Sequence, residues 1–191
     1  PGPLDWCIVR RALDGRRQLI VADGAIKLES RAFVANAAHA TLLAIDQPAQ
    51  SAGRKYAMAD ERLYTMRQRI EANARHMNHR FELIDMPYDL ARPCHVLWRH
   101  SRGHRIRDTH RIGAELGYRD IVSSDEGLRR TVEWLVSNPP ARDSEAELQL
   151  GDPFDYARED QLIRDWTAWR AKMPPVDYPV LPPAHIYRHP S

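Results

Sequence analysis

Cysteine is nearly absent from these 191 residues, and so is lysine. The two thiols, Cys7 and Cys94, stand far apart and outside any CxxC pair. That excludes a disulfide framework and a zinc knuckle, and leaves free buried thiols as the expectation. Only Lys27, Lys55 and Lys172 among the 28 basic residues are lysines; the excess of arginine reflects either a preference for planar contacts with anions or a coding bias. Surplus charge is lacking as well. The 26 acidic residues leave a net charge of +2, so the total does not compel nucleic-acid binding. No run approaches the roughly 18 apolar residues of a membrane span, and the N-terminal PGPLDWCIVRR has no basic, apolar and small-residue regions in signal-peptide order. A soluble, cytoplasmic protein is expected. The chain opens on proline in a turn-like PGP rather than on methionine, which points to a processed or truncated product.

What is present is enough for a core: 43% of the residues are apolar. Residues 4–13 predict a helix stopped by Gly15, and QLIVADG a strand ending in a turn. Residues 27–35 form a second extended run, after which Asn36 is placed to cap a helix over 37–45 with Ala38, Leu42 and Ile45 on its apolar face. GRKYAMADE reads as a short strand. Thr65 and Gln68 stand at capping-box spacing ahead of Met66, Ile70, Ala74 and Met77. Residues 81–86 form a strand closed by Pro87, and 110–116 a short helix stopped by Gly117. Ser123 and Glu126 open a helix carrying Leu128, Val132, Leu135 and Val136, terminated by Pro139 and Pro140. The stretch 141–160 is acidic and poor in apolar residues, and Leu162, Ile163, Trp166, Trp169 and Met173 make a last amphipathic stripe. Six prolines in the final eighteen residues predict an extended tail. Trp134, Trp166 and Trp169 are expected in core or interdomain packing, and the last stripe is wide enough to need a partner. Short strands alternating with helices make a small α/β or α+β module.

Taken in order, these segments resemble the C-terminal half of the extended short-chain dehydrogenase/reductase family, the NAD-dependent epimerases and dehydratases of nucleotide sugars. PGP resembles the family's Tyr-Gly-Pro-Gly loop, and FVANAAHATLLAID its strand-then-helix segment. GRKYAMADE resembles the following strand, residues 65–77 the next helix, DTHRIGAELGYRD the Asp-x-Ser-Lys…Leu-Gly-Tyr element, and EGLRRTVEWL the last helix. The match covers 1–140. It implies an α/β fold, the C-terminal part of a Rossmann-type enzyme that lacks its N-terminal dinucleotide-binding half. Residues 141–173 then form an acidic linker and amphipathic helix, and 174–191 a proline-rich tail.

Two motifs of the family are missing. No GxGxxG occurs, so nothing provides the glycine turn that lets backbone amides approach a pyrophosphate. None of the seven tyrosines has lysine four residues on, so the Tyr-x-x-x-Lys pair that exchanges the sugar's proton during hydride transfer is absent. The resemblance therefore implies no catalytic, cofactor-binding or metal-binding residues in this chain. It implies an NAD- or NADP-dependent epimerase or dehydratase for the full-length parent, with this part inactive alone.

The residues expected to meet substrate are arginines. In the resembled family an arginine before the helix contacts the substrate diphosphate through bidentate charge-assisted bonds, which assigns that role to Arg31. Ungapped matching of the helix puts Glu29 at the family's position, and Arg31 lies two residues on, on the same face of an extended chain. The competing reading is a surface ion pair between Arg31 and Glu29, worth little. The window 98–111 holds five arginines and three histidines against Asp108. It lies where the family has an arginine-bearing loop, so Arg102 and then Arg99 are the further substrate-binding candidates. Alternatives for this loop are a solvated basic surface, RNA binding with Trp98 stacked on a base, and, least favoured, a metal site at His95, His100 and His104. Expected partners are a nucleotide-sugar substrate, the absent cofactor-binding half and a second copy of the chain. Neither a membrane nor, in the preferred reading, a nucleic acid is among them. The alternative function is a noncatalytic binding or regulatory protein of the same fold, using the 98–111 loop on RNA.

Overall fold

The structure is a computed structural model that describes residues 4–98, 102–175 and 177. Arg99 and nearly all of the proline-rich tail lie outside these residues.

The first helix, α1 (Asp5–Leu13), is followed by β1 (Gln18–Ala22), a 3₁₀ turn (Asp23–Ala25) and the two-residue β2 (Leu28–Glu29). The chain then forms α2 (Val34–Asp46), the single turn α3 (Pro48–Ser51), β3 (Tyr64–Thr65), α4 (Met66–His76) and β4 (Glu82–Met86). A 3₁₀ segment (Arg92–Trp98) precedes α5 (His110–Leu116), α6 (Ser124–Ser137), α7 (Glu145–Leu148) and α8 (Tyr156–Ala171). β1 runs parallel to β4 with Leu19 beside Leu83 and Val21 beside Asp85. β2 is antiparallel to β3, Glu29 facing Tyr64, and Glu29 also bridges Arg105 in parallel on its other edge.

The apolar stripes of α1, α4 and α6 pack against one another in the core that also holds β1. Trp6, Ile70, Val132 and Leu135 are all fully buried there, which is the period-3.6 pattern resolved into one core. At the head of α4 the capping box forms as read: Gln68 N donates to Thr65 Oγ1 at 3.1 Å, and Thr65 N to Gln68 Oε1 at 2.9 Å. Both cysteines are buried and free, and burial pushes the Cys94 thiol up to about 12.

Several expectations change. GRKYAMADE forms no strand. Asn36 is not a cap, because α2 begins at Val34 with Phe33 as its extended N-cap. Inside the helix Asn36 is wholly buried, and its polar atoms decide which face turns inward. The inner face is Asn36 with Ala40, Leu43 and Ala44, whereas Val34, Leu42 and Ile45 are exposed. Trp134 is exposed on α6 rather than packed, and Trp169 is exposed although stacked on Trp166 at 5.1 Å between ring centroids. The acidic stretch after Pro140 folds back on α1. Arg11 meets Asp152 at 2.6 Å, Arg10 pairs with Glu147, and Trp6 Nε1 donates to Glu147 at 2.9 Å. Its carboxylates answer arginines that α1 has already carried into the interior.

Candidate functional site

The short β2 strand and the turn after it form the floor of a cleft of about 710 Å³, walled by the head of α1, by residues 60–66, by 105–107 and by α6. Asn36 builds this floor. Its Nδ2 donates to Asp60 and to Val122 O, both at 2.8 Å, while its Oδ1 accepts from Ile121 N at 3.1 Å and Val122 N at 3.0 Å. All four bonding positions of the amide are used, so one side chain ties α2 to two distant loops. Asp60 in turn accepts from Phe33 N at 3.0 Å. Burial raises the Asp60 pKa despite these donors. Opposite, Phe33 lies so close to Gly127 of α6 that a Cβ there would stand 2.8 Å from its ring. Glycine at 127 is what lets α6 approach the floor.

The cleft is cationic. Lys27, Arg31, Arg62, Arg69, Arg105 and Arg107 line it against Asp5, Glu29 and Asp60. Arg69 grips the buried Asp5 with two bonds, 2.7 and 2.6 Å. Burial alone would raise the Asp5 pKa, but Arg69 and Arg31 more than reverse it and hold the group far below the ordinary carboxylate range. Arg31 lies 3.1 Å from Glu29 and 3.8 Å from Asp5, and Glu29 also faces Arg105 at 3.6 Å. The Glu29 pair weighed from the sequence is therefore present. It is largely enclosed rather than on the surface, with the Glu29 side chain only 9% exposed. Such a pair fixes a guanidinium's orientation without neutralising the cleft.

Arg31 is thus at the floor of the cleft, but Arg102 is not among its lining residues. Arg102 sits over the Tyr88 ring, 4.9 Å from its centroid, and 3.6 Å from Asp89. Arg99 lies outside the described residues. Arg62, Arg105 and Arg107 were not singled out individually from the sequence. The signal for the last two was the basic window itself; what register alone reveals is that its second half, rather than Arg102, pairs with β2. His95 bonds Tyr88 O at 2.7 Å and stacks on that ring, and no group of metal-ligating side chains forms among the described residues.

The first strand does not end in the glycine-rich turn that cradles a dinucleotide. The turn after β1 contains a single glycine, Gly24. Its N–H is taken by Asp85 at 2.7 Å and its carbonyl by Arg67 at 3.2 Å, and β2 rather than a helix follows.

No protein-family model and no curated protein matches the sequence. Solved structures do. A dTDP-glucose 4,6-dehydratase from Bacillus anthracis, in complex with NAD, aligns over 71% of this chain and 40% of its own, with 18% identity and a TM-score of 0.50. A UDP-glucuronic acid 4-epimerase from Bacillus cereus, in complex with NAD, aligns over 71% and 39%, with 9% identity and a TM-score of 0.54. A UDP-glucose 4-epimerase from Bifidobacterium longum, in complex with NAD+ and UDP, aligns over 73% and 41%, with 15% identity and a TM-score of 0.53. The chain spans about two fifths of the length of these enzymes. Its fold is that of a partial extended short-chain dehydrogenase/reductase.

Proposed function

We propose that this chain is the substrate-binding portion of an NAD(P)-dependent epimerase or dehydratase of nucleotide sugars, and that the cleft over β2 holds the substrate's diphosphate. The observation that carries the reading is the charge of that cleft, six cationic side chains against three carboxylates, on this fold. Phosphate oxygens accept bidentate bonds from guanidinium groups, and partial exclusion of water strengthens them. Arg31 contacts the diphosphate from below while Glu29 and Asp5 hold its plane; Arg102 and Arg99, which precede 105–107 in the sequence, contribute on approach.

In the parent enzyme the hydride transfer at a sugar carbon belongs to a cofactor-binding half outside this sequence, so the 191-residue chain binds without turning over. A surface for that half is available: Val34, Ala38, Leu42 and Ile45 form an exposed apolar stripe along α2, of the kind that packing partners cover.

Calorimetry separates this reading from an RNA-binding one. UDP-glucose is expected to bind the 191-residue chain and to lose roughly tenfold or more in affinity on Arg31→Ala, the scale of a charge-assisted contact. Single-stranded RNA is expected to bind weakly and to be released by salt. Tight RNA binding with no response to UDP-glucose would replace the proposal with the noncatalytic alternative.

A further inference from the structure

α4 turns a second face away from the cleft over β2. Arg67, Ile70, Glu71, Ala74 and Arg75 recur at three- and four-residue spacing, so the helix sets them in one stripe. That stripe and the chain entering β1 and β4 enclose an open groove of about 1010 Å³. Its floor is apolar: Ile70, Ala74 and Phe81 are buried, and Leu83 is half-buried. Its rim is cationic, with Arg17, Arg67, Arg75 and Arg80 against Glu71 and Glu82.

These cations are loosely held. Arg67 stands 3.9 Å from Glu71, and Arg75 stands 3.2 Å from Asp125, which lies outside the groove; both pairs are exposed and therefore weak. Arg17 and Arg80 are exposed and have no carboxylate partner among the described residues. The charges are also spread out. Arg67 and Arg75 are eight residues apart on α4, about 12 Å along its axis. A single phosphate cannot span them, whereas carboxylates four residues apart in an extended peptide are separated by about 13 Å. A nucleic acid fits less well: Glu71 and Glu82 oppose its phosphates, and the two rings of the groove are packed on each other, His79 on Phe81 at 4.5 Å between centroids, which leaves no platform for a base.

β4 adds backbone groups. Glu82 N donates to Arg17 O at 2.8 Å, and in the parallel register the groups of Glu82, Ile84 and Met86 face β1 while those of Leu83 and Asp85 face outward. Asp85 O is taken by Trp166 Nε1 at 2.8 Å, so α8 closes that end of the edge. Leu83 N and O have no partner among the described residues, and an unpaired strand edge is a template for another chain.

We propose that this groove docks an extended acidic segment of a partner protein, with carboxylates on the arginine rim, apolar side chains on Phe81 and Leu83, and backbone paired with Leu83. The surface is separate from the cleft over β2 and stands whether or not that cleft takes a nucleotide sugar.

Fluorescence anisotropy with a labelled peptide of about nine residues, alternating glutamate and valine, tests the docking. The 191-residue chain is expected to bind it and to ignore the same peptide with lysine in place of glutamate. The Arg17→Glu, Arg80→Glu variant should weaken binding tenfold or more and reverse the preference between the two peptides. Both side chains are exposed, so this variant should keep the parent's circular dichroism and Tm. Hydrogen exchange at the Leu83 amide should slow when the peptide is bound. No binding by the parent, or a variant within twofold of it, would overturn the proposal. So would an equal loss on Arg31→Ala, which would place the peptide in the cleft over β2, or oligouridylate that displaces the peptide and binds more tightly. Unchanged exchange at Leu83 would reject the extended, edge-paired pose.

Discussion

At the scale of single residues, Asn36 shows how local chemistry and tertiary chemistry compete for one side chain. An asparagine ahead of an alanine-rich helix reads as a cap because its short side chain reaches backbone amides nearby. Here the amides it reaches are those of Ile121 and Val122, some 85 residues away in sequence. No spacing rule exposes such a contact. Replacing Asn36 by alanine leaves those amides and Asp60 short of partners in a buried site and should cost about 2–4 kcal/mol. Urea unfolding measures it, and a loss below 1 kcal/mol would show that water takes over the bonds. The same distinction governs the arginines: residue type announced an anion site, but which arginine has a carboxylate partner is a property of packing. Arg31 was legible as a candidate; the isolation of Arg17 and Arg80 was not.

At the scale of elements, the helices with an amphipathic stripe and a capping box were legible because both signals are local. α1, α4 and α6 lie within a residue or two of their sequence reading, as does β1. α2 was misjudged in facing, since its most apolar stripe points outward and its buried face carries an asparagine. The fold leaves that stripe for something else to cover. Gly127 was likewise silent in the sequence. A methyl group there meets the Phe33 ring at 2.8–3.1 Å, so Gly127→Ala should destabilise by about 1–3 kcal/mol through overpacking. That outweighs the gain of up to about 1 kcal/mol from alanine's helix propensity. A thermal melt that moved upward would contradict the close approach of α6 to the floor of the cleft.

At the scale of the whole molecule, α1 joins the cleft to the C-terminal segment. Asp5 at one end faces the cleft, while Arg10 and Arg11 at the other are held by Glu147, Asp152 and Glu159. An acidic stretch poor in apolar residues becomes structural because the two arginines on α1 are buried. Arg11→Ala strands Asp152 and Glu159 without their cation and should cost about 3–5 kcal/mol in unfolding experiments. The pH dependence has a defined sign. Asp5, Asp14 and Glu147 all have folded pKa values lowered by their partners. The stability they supply is complete above the unfolded carboxylate range and lost as pH falls through about 4 and below. Asp60, raised by burial, works in the opposite sense, but is outnumbered. Stability should therefore decline steadily in acid from about pH 5, and a Tm unchanged between pH 6 and pH 3 would contradict the pairing.

The central claim, that the cationic cleft over β2 receives a nucleotide diphosphate, is tested most directly by mapping backbone amide shifts while UDP-glucose is added to the isotope-labelled chain. The account predicts saturable shifts concentrated in 27–34, 60–66 and 105–107, with Ser30 and Arg62 among the largest. Shifts confined to the second groove, along 67–83 and Arg17, or none at all, would contradict it.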